Sequence, residues 1–292
     1  MKRRAFLASS VGAAVWAAGR PIRTRISRAR IRFGYAAITW GGNDARAIDD
    51  IATLGFRGIQ LRQSAVTTWG DRPAELKQLL TDRHLTLVAL SSGDVSLDPA
   101  VEQETLTQHS RHARFVRDVG GRYLQVIDQR PSGREPVPDD YRRMGRLLTE
   151  IGRRSADVGI PLGYHNHMGA LGQSPAEIQR VLDAADPQYV RLLLDTAHLQ
   201  RAGGDPAQAV RHHAGRLLFL HIKDLDESGR FVELGRGKVD VPGVFAALDD
   251  IGFDGWGVVE LDSVTDATRT PKESGAMARR YLEAAGRWND AS

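Results

Sequence analysis

Four segments of this chain begin as short apolar runs and finish in imidazole or carboxylate: those ending in His165-Asn166-His167, Asp195-Thr196-Ala197-His198, His221-Ile222-Lys223-Asp224 and Glu260-Leu261-Asp262. A mixture of imidazole and carboxylate donors without thiolate suits Mn²⁺, Co²⁺, Fe²⁺ or Zn²⁺. In an extended strand, residues two apart face the same way, so His165 pairs with His167, His221 with Lys223 and Glu260 with Asp262. Asp195 offers a further ligand, and His198 on the adjoining loop offers a substrate-binding or proton-transfer imidazole. One such histidine is more often a hydrogen-bonded core residue than a ligand. Four strand ends with the same anomaly argue for one shared site holding a single divalent metal. A Lewis acid beside a base can labilise the C–H bond next to a carbonyl.

Strands that are apolar throughout and carry their chemistry at the C-terminal end belong to parallel sheets buried on both faces, as in a (β/α)8 TIM barrel. The sequence from Ile31 onward supports that architecture. Strand patterns at 31–39, 58–62, 86–91, 123–128, 161–167, 190–196, 217–223 and 257–261 alternate with helical patterns at 45–54, 73–83, 102–119, 140–158, 175–184, 206–213, 244–251 and 272–285. Ser174-Pro175 and Asp205-Pro206 read as an N-cap followed by proline at the first helical position, and Gly55, Gly120 and Gly159 as helix ends. Eight units favour closure into a barrel. The rival, an open doubly wound sheet, lacks its Gly-rich loop after the first strand.

With 292 residues, 41% of them hydrophobic, the chain can bury one large α/β core, assigned to residues 31–292. The net charge of +4 is misleading, because the first 32 residues hold nine Lys and Arg and no acid. The remainder carries 31 basic against 36 acidic residues, so the high isoelectric point does not imply a nucleic-acid partner. Lys2-Arg3-Arg4-Ala5-Phe6-Leu7 is a twin-arginine start followed by a weakly apolar run to Ala18. That run is too short for a stable membrane span and fits an export signal, which predicts an exported, periplasmic protein; a disordered tail is the bland alternative. Residues 1–30 are thus a signal peptide and basic linker. The absence of cysteine excludes disulfides and thiolate metal sites.

Taken in order, Tyr164-His165-Asn166-His167-Met168-Gly169, Leu193-Leu194-Asp195-Thr196-Ala197-His198, Ala202-Gly203-Gly204-Asp205-Pro206, His221-Ile222-Lys223-Asp224 and Gly252-Phe253-Asp254-Gly255-Trp256-Gly257-Val258-Val259-Glu260 resemble the xylose-isomerase-like TIM barrels. Within that sugar phosphate isomerase/epimerase group, the motifs are most similar to those of inosose dehydratases. The resemblance covers about the whole chain after residue 31. It implies a divalent metal held by Asp195, His221 and Glu260, with His165 where the family usually has Glu. It also implies that His198 touches substrate, with His167 a further candidate. Gln60 stands where many relatives have Glu, and Ala170 where the dehydratase motif tends to have Thr.

These readings together give Glu260, His198 and His167 as catalytic residues, and His198, Lys223, Trp40 and Arg236 as substrate-binding ones. Arg236 lies in Gly235-Arg236-Gly237, read as a flexible turn across the barrel mouth. The leading expectation is a metal-dependent sugar isomerase or epimerase working by proton abstraction beside a carbonyl. The alternative is a dehydratase or lyase acting on a keto-inositol or 3-keto-glycoside. A metal-dependent phosphodiesterase and a non-catalytic sugar-binding barrel rank below these. The expected partner is a small carbohydrate, with a homo-oligomer as an option.

Overall fold

The computed structural model describes residues 28–288. Its strands are β1 (Arg30–Ala36), β2 (Gly58–Arg62), β3 (Thr86–Val95), β4 (Tyr123–Asp128), β5 (Leu162–His165), β6 (Val190–Asp195), β7 (Leu217–Ile222), the short pair β8 (Asp224–Leu225) and β9 (Phe231–Val232), and β10 (Asp254–Val259). Eight of them close into a barrel in the order β1-β10-β7-β6-β5-β4-β3-β2, with every barrel pair parallel. Strands β8 and β9 form a separate antiparallel hairpin. The helices are α1 (Asp44–Thr53), α2 (Ser64–Trp69), α3 (Pro73–Asp82), α4 (Glu102–Val119), α5 (Pro138–Ala156), α6 (Pro175–Ala184), α7 (Thr196–Arg201), α8 (Pro206–His212), α9 (Val241–Asp250) and α10 (Pro271–Ala284).

Strand alternation divides the core into two parts. Residues facing outward, such as Leu192 and Leu194 on β6 and Leu220 and Ile222 on β7, pack against the helices in one large cluster. A smaller cluster of Ala36, Val88, Ala89, Leu193, Phe219, Trp256 and Val258 fills the barrel axis. Glycines make room for its two large rings. A Cβ on Gly58 would lie 2.5 Å from the Trp256 ring, and one on Gly163 would lie 3.1 Å from Phe219. Phe219 and Trp256 thus form a dry floor, and His221, the next axis-facing residue after Phe219, and Glu260, the next after Val258, stand above it toward the C-terminal mouth.

The expected punctuation holds at several ends. Ser174 accepts from the backbone N–H of Glu177 while the Glu177 side chain reaches back to Ser174, a reciprocal cap that starts α6 where the sequence places it. Asp205 caps α8 in the simpler way. Helix α9 starts three residues earlier than expected, because Asp240 accepts from the Gly243 N–H and Pro242 fits the first turn. Strand β10 also starts three residues early, its first half hidden by Gly255 and Gly257.

The N-terminal signal and most of the linker fall on residues 1–27, outside the described part. The last linker residues belong to the barrel. The Ala29 N–H donates to Asp249 Oδ1 at 2.8 Å, and β1 opens at Arg30, which pairs with Asp254 at 2.5 Å. No helix among the described residues is long and apolar enough to cross a membrane.

Candidate metal centre and active site

His165 ends β5, Asp195 ends β6, His221 lies one residue before the end of β7, and Glu260 follows β10. All four side chains are buried. Asp195 Oδ2 is 3.5 Å from both His165 Nε2 and His221 Nδ1, and His221 Nδ1 is 3.4 Å from Glu260 Oε1. The three atoms His165 Nε2, Asp195 Oδ2 and His221 Nδ1 lie within 4.8 Å of one another. None of them has a hydrogen-bond partner among the described residues. Leaving a buried polar atom unpaired costs about 1–3 kcal/mol, so three orphans converging on one point need a physical reason.

The surrounding bonds supply that reason by fixing which atoms are lone pairs. Gln60 Oε1, an acceptor only, sits 2.8 Å from His221 Nε2, so the proton is on Nε2 and Nδ1 presents a lone pair. The same amide reaches Glu260 Oε2 through its Nε2 at 3.4 Å. The Gln125 side-chain nitrogen lies 3.0 Å from His165 Nδ1, so β4 fixes the orientation of that ring, whose Nε2 faces Asp195 Oδ2. Burial pushes His165 down to about 4, which keeps it neutral. For Asp195, burial alone would raise the pKa, but the facing imidazoles and Lys223 outweigh it and hold the carboxyl well below its usual range. Glu260 likewise resists burial and is held down to about 2 by His221 and Lys223. Two imidazoles and two carboxylates therefore converge on one point, a donor set that fits a divalent cation.

Lys223, fully buried just after β7, completes the charge balance. Its Nζ donates to Glu260 Oε1 at 3.1 Å and Asp262 Oδ1 at 2.6 Å, and lies 4.2 Å from the centre of the Phe231 ring. Burial would lower its pKa, but Glu260, Asp195 and Asp262 more than offset this and keep it above the usual lysine value. Asn166 is structural. Its side chain accepts from the Asp195 N–H at 2.8 Å and donates to the Asp195 carbonyl at 3.3 Å, continuing the β5–β6 ladder past its end.

His167 and His198 stand beside the cluster with ring centroids 3.9 Å apart. Donors face both nitrogens of His198, the Met168 N–H at 3.1 Å from Nδ1 and Lys223 Nζ at 3.5 Å from Nε2, and the shorter bond puts the proton of neutral His198 on Nε2. His167 Nδ1 donates to the Met168 carbonyl at 2.8 Å, so neutral His167 carries a lone pair on Nε2. Burial pushes His198 down to about 2, against the pull of Asp195, which leaves it neutral at ordinary pH. A cavity of about 320 Å³ opens beside His167, bordered by Asp94, Gln129 and Arg130.

Of the residues singled out in the sequence, His165, His167, Asp195, His198, His221, Lys223 and Glu260 come together at the mouth. Trp40 is turned into the core, 8% exposed, and gives its indole N–H to Asp50 at 3.0 Å. Arg236 lies exposed after β9, with its backbone N–H on the Glu233 carbonyl. Sequence reasoning overlooked Gln125 and Phe231. Gln125 was within reach, since it shares the axis-facing side of an expected strand. Phe231 sits in a two-residue strand that leaves no periodic signal, yet its ring packs 4.7 Å from His198.

A closed parallel barrel with imidazoles and carboxylates gathered at the C-terminal ends of its strands, in a cluster that could hold a metal ion, defines a TIM barrel with its candidate site at the usual face. The model of one family, the xylose isomerase-like TIM barrel, matches residues 48–283, and the chain belongs to that family. Among curated relatives, the inosose dehydratase of Lacticaseibacillus casei is 28% identical, with 87% of this chain and 97% of that protein covered. The inosose dehydratase of Bacillus cereus strain AH820 is 25% identical, with 87% and 96% covered. Among solved structures, the IolI protein with a binding zinc atom superposes with a TM-score of 0.78 at 16% identity, covering 89% of this chain and 99% of that one. The probable 3-DHS dehydratase AsbF of Bacillus anthracis gives 0.75 at 14% identity, covering 87% and 99%. At these identities the structural matches speak for the fold.

Proposed function

We propose that this enzyme is a metal-dependent dehydratase that removes water from a cyclic keto-polyol or keto-sugar. The observation that carries this reading is the asymmetry of His167 and His198, one a base and the other a hydrogen-bond donor, on one side of the cluster. Elimination needs one base that removes the α-proton and can return it to the departing β-hydroxyl. His167 Nε2 takes the proton as the C–H bond breaks, then gives it to the leaving oxygen as the C–O bond breaks. Water departs, a C=C bond forms beside the carbonyl, and His167 is neutral again. His198 donates its Nε2–H to the developing oxyanion without losing it, as a neutral imidazole can. A divalent cation held by His165, Asp195, His221 and Glu260 supplies Lewis-acid stabilisation of that negative charge. Lys223 keeps Glu260 ionised and in place. The relatedness to inosose dehydratases along 87% of the chain supports the same reading.

Epimerisation or isomerisation is the second reading. It would use a second base on the opposite face of the substrate, and Glu260 next to β10 stands three strands round the ring from His167 next to β5. The test is to incubate metal-loaded protein with a keto-inositol in D₂O and follow mass and NMR. Dehydration yields an unsaturated ketone lighter by one water. A product of unchanged formula with one inverted carbinol carbon would overturn the elimination reading in favour of the epimerase.

A further inference from the structure

A second and larger cavity, of about 800 Å³, opens between α2 and α4, on the far side of the β3 rim from His167. Arg62, Gln63, Ser64, Gln103, Gln108 and Arg111 line it. One strand, β2, links its wall to the candidate metal cluster. Gln60, bonded to His221 and Glu260, and Arg62, in the cavity wall, are two apart on β2 and face the same way. The step between them is about 6.6 Å of strand rise, on the scale of one sugar ring.

This wall is held by buried groups. Ser92 Oγ lies 2.6 Å from His109 Nδ1 and 2.8 Å from His112 Nδ1, so it donates to one ring and accepts from the other. Ser92 and His109 are fully buried, whereas His112 borders the cavity and, with Nδ1 engaged, has Nε2 to offer there. Gln108 Nε2 bonds both Gln63 Oε1 at 3.3 Å and the Ser92 carbonyl at 3.2 Å, tying α4 to the end of β3.

The charge of the lining decides what it would take. Arg62 and Arg111 are partly offset by Glu104 in the same wall, and Asp44 stands near Arg62, its carboxyl raised by burial against the opposing pull of that guanidinium. With the Glu104 carboxylate among them, the two guanidinium groups are a poor seat for a phosphate or carboxylate. Amides, hydroxyls, an imidazole and guanidinium groups together offer many donors and acceptors, the complement of a neutral polyhydroxylated ring. We propose that this cavity is a subsite for a second sugar, so that the natural substrate is a glycoside or oligosaccharide whose reacting ring sits at the metal cluster. The inference rests on reading the cluster as a sugar-processing site.

The experiment is calorimetric titration of the metal-loaded full chain with glucose, maltose, cellobiose and trehalose, none of which carries the ketone needed for turnover, and with glucuronate and glucose 6-phosphate. At least one disaccharide should bind tenfold or more tighter than glucose. Thr67→Trp, on the exposed side of α2, fills the cavity and should remove that gain, and Gln63→Ala should reduce it without adding bulk. A panel in which no disaccharide exceeds glucose tenfold overturns the subsite. So does a larger gain for either anionic sugar, which would make the cavity an anion site. Elimination on a keto-inositol with no disaccharide gain sinks the subsite alone, and a disaccharide gain without elimination sinks the dehydratase alone.

Discussion

His167 and His198 lie with their ring centroids 3.9 Å apart and their planes tilted by 38°, and are held in opposite tautomers by the two backbone groups of one residue, Met168. Two chemically identical side chains thereby acquire different tasks. The expected consequence is a split between two variants. His167→Asn should abolish deuterium exchange at the α-carbon and reduce turnover by about 10²-fold or more, the scale of a lost general base. His198→Asn, which keeps a donor, should lower turnover less while leaving the exchange measurable. Both should bind metal like the wild type, checked by elemental analysis. Equal loss of exchange in the two variants would show that His167 is not the sole base.

The metal centre makes a different prediction. Asp195→Ala and His221→Ala each remove a converging ligand and should bring bound metal to near zero. Gln60→Ala leaves all four ligands but frees the His221 tautomer and the Glu260 carboxylate, so metal affinity should fall about 10- to 100-fold. Competition with a chelator of known affinity measures the difference. Unaltered affinity in Gln60→Ala would mean that the imidazole needs no such support.

The residues that converge at the mouth were legible in the sequence because each interrupts an apolar run at its end, and α4 and α6 lie where their periodicity and caps place them. What holds the ligands was not. Gln60 and Glu260 are 200 residues apart in the chain and meet only because the barrel closes β10 beside β1 and β2. Helix α7 escaped notice because its N-cap is Asp195, a residue that reads first as a ligand: one carboxylate oxygen accepts from the His198 N–H at 2.8 Å and the other faces the cluster. Trp40 reads as a mouth residue from its position after the first strand, yet an indole N–H seeks an acceptor when buried, and Asp50 on α1 provides one.

Against burial, which opposes it, His221 and then Lys223 keep Glu260 ionised, and Lys223 is the ammonium bonded to it. Lys223→Met keeps much of the volume but leaves that carboxylate without its ammonium. Metal-free Lys223→Met should lose about 3–5 kcal/mol in urea unfolding, the usual penalty for breaking a buried pair from one side. Added divalent metal should restore part of the loss, since it returns positive charge to Glu260. A variant as stable as the wild type without metal would remove Lys223 from this role.

The twin-arginine segment is proposed to direct export of the folded protein. Changing Arg3 and Arg4 together to Lys keeps the charge and should retain the protein in the cytoplasm, as cell fractionation would reveal. Unchanged localisation would mean that the segment is a tail or is read by another route.

Asp128 gives the fold a pH dependence of unusual sign. It ends β4 and accepts from the Tyr164 hydroxyl at 2.8 Å and the backbone N–H groups of Leu171 and Gly172 at 3.0 and 3.1 Å, pinning the loop after β5 that carries His167 and Met168. Burial raises its pKa to about 7 despite those donors. An unfolded aspartate titrates near 3.9, so between about pH 4 and pH 7 the folded protein holds a proton that the unfolded chain has lost. Stability from this group is therefore full below about pH 4 and declines as pH rises through 7, by up to about 1.4 kcal/mol per pH unit. Asp128→Asn cannot titrate. It should be less stable than the wild type at pH 4.5, because its amide N–H groups face the donors of Tyr164 or Gly172, and the gap should narrow steadily toward pH 7.5. Urea unfolding of both proteins across that range, with chelator present to exclude metal effects, measures the gap. A constant difference would mean that Asp128 is ionised throughout and that its three donors outweigh burial.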